Sequence, residues 1–236
     1  MNAEKNMTPR LLSIADCVSQ NAKVADIGTD HAYIPIYLVQ KGRISSALAM
    51  DINRGPLFRA ENNIAKFQLQ ENIKTRLSDG IKGLNAGEAD EIIIAGMGGI
   101  LISEILEAKK ELLTEEVRLI LQPMTAAEEV RKYLHRNGFC ITEERLAKEG
   151  NKIYQILTAQ IGSMEIKKEA DYYISPYLLA NRVPLTKEFL EFRIREFEKI
   201  LAGLVAAKRE NTYDREVYVR NLLNEFYNIR EGLGQW

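Results

Sequence analysis

Five short β-rich runs alternating with helix-patterned stretches open this 236-residue chain and restrict it to a largely parallel sheet with helices packed on it. Thr8-Pro9 reads as an N-cap with Pro at the first helical position, opening a helix through Val18. AKVADIG (22–28) is a strand ending in Gly, with a helix to follow over Pro35 to Gln40. SALAMDI (46–52) is the second strand, and Gly55-Pro56 opens a helix that carries Ala60, Ile64 and Phe67. Ile73 to Leu77 is the third. EIIIAGMGG, the most strand-like run, breaks into a helix from Ile100 to Leu106. Val117 to Leu121 is a fifth strand, stopped by Pro123 and followed by a helix from Ala126 to Arg136. FCITEERLAKEGNKIYQILTAQ then changes the pattern: two strands meet at a Gly150-Asn151 turn, with no room for a helix between them.

Five βα units and a closing hairpin predict an α/β doubly wound sheet with an antiparallel strand at or near its end. Such a Rossmann-like sheet fits the seven strands of class I methyltransferases better than a plain dinucleotide-binding fold. From about Gly162 the strand signals vanish. Leu190, Ile194, Phe197, Leu201 and Leu204 are spaced as the seam of a coiled coil, and Val219, Leu222, Phe226 and Ile229 repeat it after the polar link KRENTYD. The expected division is an α/β domain over 1–161 and a helical coiled-coil hairpin over 162–236. The hairpin segment holds 12 Lys+Arg, Lys208 and Arg209 of the link among them, against 12 Asp+Glu, so it is not a basic arm. A structural hairpin, a dimer contact and a grip on a partner all remain open for it.

Composition removes several classes of function. The 32 Lys+Arg are balanced by 33 Asp+Glu, a net charge of −1, which argues against binding nucleic acid by bulk charge but leaves room for a local basic patch. MNAEKNMTPR has no apolar h-region, so a cytoplasmic protein is expected. The longest apolar run, IIIAGMGGILIS (92–103), is too short for a bilayer, which needs about 20 residues. Cys17 and Cys140 are too far apart for a CxxC unit, and two separated histidines, His31 and His135, make no metal site.

The chemistry should lie at the carboxyl ends of the strands, where open α/β sheets bind ligands. Gly28 ends the first strand. Asp51 ends the second, 23 residues later, a spacing at which a carboxylate reaches ribose hydroxyls. Asp79-Gly80 follows the third, and Gly96, Gly98 and Gly99 leave open backbone after the fourth. A dinucleotide wants G-x-G-x-x-G to admit its pyrophosphate, but the first loop here is G-T-D-H-A-Y. Asp30 would repel phosphates, whereas it suits the ammonium or sulfonium of S-adenosylmethionine.

VADIGTDHAYIPIYL, AMDINRGPLFRAENNI, RLSDGIKGL, EIIIAGMGGILISEIL, LILQPM and NKIYQILTAQ together resemble the bacterial tRNA (adenine-N1)-methyltransferase family of the TrmK type, which modifies adenine 22 in the tRNA D-loop. The likeness spans nearly the whole chain. Asp51 stands where the family often has Glu, keeping the carboxylate, and QPM replaces QPN at Met124. The resemblance implies an S-adenosylmethionine-dependent enzyme with tRNA as partner. It places the methionine part of the cofactor along Asp26, Gly28, Thr29, Asp30 and His31, and the ribose at Asp51 and Ile52. Adenine would lie near Ser78, Asp79 and Gly80, and the sulfonium near Ala95, Gly96 and Met97. N1 of adenine has a free in-plane lone pair, so no strong general base is required. Asp30, with His31 beside it, would offset the developing positive charge, and Tyr33 would stack on the extruded base. Arg10, Arg54 and Arg59 are the expected phosphate contacts, with Arg10 on a helix leaning over the site edge. A monomer is favoured. Two other readings are a small-molecule N-methyltransferase and a non-catalytic S-adenosylmethionine-binding partner protein.

Overall fold

In the computed structural model, which describes residues 2–207 and 213–234, AKVADIG places four consecutive buried residues in β1 (Val24–Ile27). A strand without a polar face needs cover on both sides, and β1 lies inside the sheet, paired in parallel with β2 (Ala47–Asp51) and β4 (Glu91–Gly98). β3 (Ile73–Leu77) adds beyond β2, and β5 (Arg118–Thr125) beyond β4. The hairpin of β6 (Phe139–Glu149) and β7 (Lys152–Ile161) inserts β7 antiparallel between β5 and β6. The seven-stranded order is β3-β2-β1-β4-β5-β7-β6, the doubly wound sheet with a terminal hairpin that the alternation predicts.

Alternate strand residues feed two cores. Val24, Ala49, Ile93 and Ile120 face Ile14 of α1 (Pro9–Asp16), Ile34 and Leu38 of α2 (Tyr33–Gln40) and Ile64 of α3 (Arg54–Lys66). Ala25, Ile27, Ile92, Ile94 and Leu119 face Ile102 and Leu106 of α4 (Gly99–Glu107) and Val130 and Leu134 of α5 (Ala127–Arg136). Thr8 caps α1, its side chain accepting from the Leu11 N–H, with Pro9 in the first turn.

Two expectations are corrected. The third of the five expected βα units has no α-helix, since β3 leads to β4 through a short 3-10 turn at Gly80–Gly83. Pro123 does not stop β5, which runs on to Thr125. Beyond Leu121 the strand has left β7 and pairs with β4 alone, through Ala95↔Gln122, Met97↔Pro123 and Gly98↔Thr125. Gly96 on one strand and Met124 on the other are thus extra residues, two bulges that cancel in register. A bulge is one of the few places where a sheet accepts proline.

The chain divides into two compact units, Met1–Met164 and Glu165–Trp236. Within the second, α6 (Pro176–Ala180) precedes the two long helices α7 (Thr186–Ala207) and α8 (Tyr213–Leu233). Leu190, Ile194 and Phe197 of α7 and Val219, Leu222, Phe226 and Ile229 of α8 are buried as the seam predicts. Leu201 and Leu204 are half-buried, and the link residues Lys208 and Arg209 lie outside the described residues. The seam has a third contributor that periodicity does not reveal. Tyr173 packs edge-on against Phe197 (5.4 Å) and Phe226 (6.0 Å), and Ile174 and Leu178 are fully buried. Among the described residues no helix is long and apolar enough to cross a membrane, and no three His, Cys, Asp or Glu cluster as a metal would need.

Gly99 opens α4 against the start of α5. A Cβ there would stand 2.0 Å from the backbone oxygen of Ala126, itself held at φ +52°. Backbone cannot rotate away as a side chain can. Gly99→Ala is expected to cost about 2 kcal/mol or more in urea unfolding, and an unchanged midpoint would contradict this packing.

Candidate active site

β1 to β4 run parallel, so their following loops open on one edge. The Gly28 and Thr29 N–H groups both donate to the Met50 carbonyl, at 2.8 and 2.9 Å, folding the first loop toward β2. Gly28 has φ +72°, and a Cβ on it would lie 2.1 Å from Met97 Cε. The left-handed backbone is what favours glycine here, and its missing side chain leaves the Met97 methyl of β4 room to lie against the first loop. Asp30 and Ala32 are also left-handed, at φ +48° and +56°, a conformation that costs L-residues about 1–2 kcal/mol each.

Two carboxylates are buried at this edge, Asp26 and Asp51. The Thr29 hydroxyl donates to Asp26 Oδ2 at 2.6 Å, and the Asn53 N–H donates to Asp51 Oδ1 at 2.8 Å. Burial pushes Asp26 up to about 6, the Thr29 bond works against that, and the negative Asp51 adds to it. Ser78 is buried but engaged: its hydroxyl donates to the Gly80 carbonyl at 3.0 Å and accepts from the Gly83 N–H at 2.9 Å. It shapes the third loop. Asp79 is exposed and paired with Lys82, while Ile52 and Leu77 present apolar surface at the ends of β2 and β3.

The substrate-side candidates are partly tied to one another. Asp30 Oδ1 meets Arg59 at 2.6 Å, and its other oxygen lies 3.5 Å from His31 Nε2. His31 and Tyr33 stack with ring centroids 5.0 Å apart and planes 6° from parallel. Asn63 of α3 donates to the His31 carbonyl at 3.0 Å, fixing the loop from outside. Arg54 is exposed and makes no ion pair among the described residues. Arg10 does reach the site edge from α1. Its guanidinium donates to Gln122 Oε1 at 2.7 Å and lies 5.5 Å from the Tyr154 ring centroid. Ala95, Gly96 and Met97 complete the edge, with Gly96 exposed at φ +77°.

Residues 24–225 match the family model described as TrmK, tRNA (adenine(22)-N(1))-methyltransferase. The chain belongs to the TrmK family. It is 38% identical over 180 residues to the tRNA (adenine(22)-N(1))-methyltransferase of Bacillus subtilis (strain 168), a match covering 74% of this chain and 76% of that protein. The crystal structure of the B. subtilis m1A22 tRNA methyltransferase TrmK is similar to it with a TM-score of 0.85 at 33% identity, over 93% of this chain and 98% of that one. M. capricolum TrmK, solved with S-adenosyl-homocysteine, gives a TM-score of 0.79 at 26% identity, over 95% and 98% of the two chains. The TrmK resemblance read from DIGTDHAYIP and IAGMGG is therefore the right one. What it did not single out is Gln122, fully buried at the end of β5; QPM contained the signal, but attention falls there on the departing Met124.

Asp26 carries a testable linkage. Its carboxyl holds a proton more tightly in the folded chain, about 6, than the ordinary 3.8. The stability this contributes is fully present below about pH 3.8 and lost as pH rises through 6. Without ligand, Asp26→Asn should therefore be more stable than wild type at pH 7.5, by about 2–3 kcal/mol. That margin should shrink on going to pH 5. Urea unfolding at both pH values measures it, and a margin that is absent or independent of pH would contradict the burial of a charged Asp26.

Proposed function

We propose that this protein transfers the methyl group of S-adenosylmethionine to N1 of adenine 22 in tRNA, acting as a cytoplasmic monomer. Residues 1–161 would carry the cofactor and residues 162–236 would help to hold the tRNA body. Besides family membership, the buried Asp26–Asp51 pair beside the Gly28 turn is what carries this reading. Two carboxylates and a close-approaching backbone suit a ligand with an ammonium group and a ribose diol, and they repel a pyrophosphate. When bound, the cofactor supplies an electrophilic methyl group on a sulfonium.

The chain's own residues then have modest tasks. Asp26, with Gly28 and Thr29, would hold the ammonium end, and Asp51 with Ile52 the ribose. Asp79 and Gly80, with exposed Ile52 and Leu77 at the ends of β2 and β3, would take the adenine ring. Ala95, Gly96 and Met97 would form the wall against which the reacting atoms meet. No residue needs to remove a proton, because adenine N1 attacks through its free lone pair. The site must instead align the base and tolerate a product cation.

The His31–Tyr33 stack suits an extruded adenine, which would extend a pile of rings already formed. Asp30 is neutralised by Arg59 in this structure. A tRNA phosphate that draws Arg59 away would free Asp30 to face the developing charge. Arg54 is the more available phosphate contact, and Arg10 the less, being bonded to Gln122.

The test uses the full chain, labelled cofactor and tRNA transcripts, digested to nucleosides after reaction. Label should appear as 1-methyladenosine with the A22 transcript and be absent when position 22 is G. Tyr33→Ala and Asp30→Ala should each slow turnover about tenfold or more, from lost stacking and lost charge compensation. Full activity in both would overturn the site assignment. Truncation after Ile161 should leave cofactor affinity within a few-fold in isothermal titration while tRNA methylation collapses; methylation at full rate would mean the helical residues have no part in tRNA binding.

A further inference from the structure

At the carboxyl end of β4 and β5 one buried side chain stands behind the Ala95–Met97 segment. Gly96 is the extra residue of the β4 bulge, so its N–H has no backbone partner in the β4–β5 ladder. That N–H donates instead to Gln122 Oε1 at 3.2 Å. The same oxygen accepts from Arg10 Nη1 at 2.7 Å, and Gln122 Nε2 donates to the Pro123 carbonyl at 2.8 Å. The carboxamide is fully buried and has Met124 Sδ 3.7 Å from its nitrogen, on the residue that forms the opposing bulge. One side chain therefore serves both bulges and the first helix together.

We infer that Gln122 is a positioning residue for methyl transfer. Its oxygen takes the N–H that the bulge strands and so fixes the orientation of the Ala95–Met97 backbone. The bulge turns Met97 onto Gly28, where Met97 Cε stands in the space a Cβ would need. Three neighbours agree on which way round the carboxamide sits: the Arg10 guanidinium and the Gly96 N–H accept nothing, so the oxygen faces both, and the Pro123 carbonyl takes the nitrogen. The polar groups proposed to hold the cofactor, Asp26 on β1, Asp51 on β2 and Asp79 in the loop after β3, make no hydrogen bond to Gln122. Loss of the carboxamide should thus loosen the wall against which the methyl group and adenine N1 align, without loosening the cofactor. This assignment rests on the function proposed above.

The experiment measures kcat at saturating tRNA, cofactor affinity by titration calorimetry, and thermal midpoint for Gln122→Met, Gln122→Glu and Arg10→Met. Gln122→Met keeps the volume and removes the acceptor. Its kcat per folded molecule should fall about tenfold or more, with cofactor affinity within about threefold of wild type. Gln122→Glu keeps an acceptor for both Gly96 and Arg10 and should recover about threefold or more over Gln122→Met. Arg10→Met covers the case in which Gln122→Met does not fold: with the shorter of the two hydrogen bonds on the carboxamide oxygen gone, the side chain is held less firmly and kcat at saturating tRNA should still fall a few-fold. The assignment is overturned by an unchanged kcat in folded Gln122→Met or in Arg10→Met, by a loss confined to cofactor affinity, or by a Gln122→Glu as slow as Gln122→Met. Wild type in the same assay separates the two levels. No methylation of the A22 transcript by wild type overturns both the function and this role, whereas wild-type turnover with unaffected variants overturns the role of Gln122 alone.

Discussion

Parallel pairing of β1 with β2 on one side and β4 on the other is the constraint on which the rest of the molecule depends. The registers Val24↔Ala47 and Val24↔Glu91 keep the three strands level, so β1 and β2 end together at one edge and β4 runs on past it to Gly98. An interior parallel strand must be apolar on both faces, and helices then fill both faces: α1 to α3 on one, α4 and α5 on the other. With both faces covered, the edge beyond Ile27, Asp51, Leu77 and Ala95 is where backbone and polar side chains can meet a ligand. The position of the site follows from strand direction before any particular side chain is considered.

That edge is also where the chain accepts local cost. Asp26 is a charge in a dry place with a second carboxylate nearby, and Asp30 and Ala32 are held left-handed. Gly96 and Met124 leave the ladder. Each feature is unfavourable by itself, and each is held by a neighbour: Thr29 on Asp26, Asn63 on the His31 carbonyl, Gln122 on the Gly96 N–H. Stability comes from the two cores behind the edge, so the edge is free to be shaped for binding.

The second unit is built on a different principle. Its seam of Leu190, Ile194 and Phe197 against Val219, Leu222, Phe226 and Ile229 is closed by Tyr173, and the aromatic trio locks edge to face. Because Lys+Arg and Asp+Glu are equal in number there, counterion release contributes little to any grip it has on tRNA. Under the proposed function it would read the tRNA by shape, while Arg54 and Arg59 supply charge beside the site.

Residues acting locally determined a great deal here. Runs such as EIIIAGMGG and the Gly150-Asn151 turn set element order and strand type, since period and turn chemistry act over a few residues. Gly28, Asp51 and Asp79 mark three strand ends for the same reason, and the motifs around them were enough to read the TrmK family from the chain. Tertiary structure decided the rest. Pro123 continues β5 only because Leu121 is the last residue paired with β7. Asp30 is masked only because α3 brings Arg59 across 29 positions of chain, and Gln122 matters only because α1 and the Gly96 bulge converge on it. Tyr173 and Leu178 carry no periodic signal, yet the hairpin closes over them. In each case the deciding partner lies far away in sequence, and a local pattern holds no information about which distant surface it will meet.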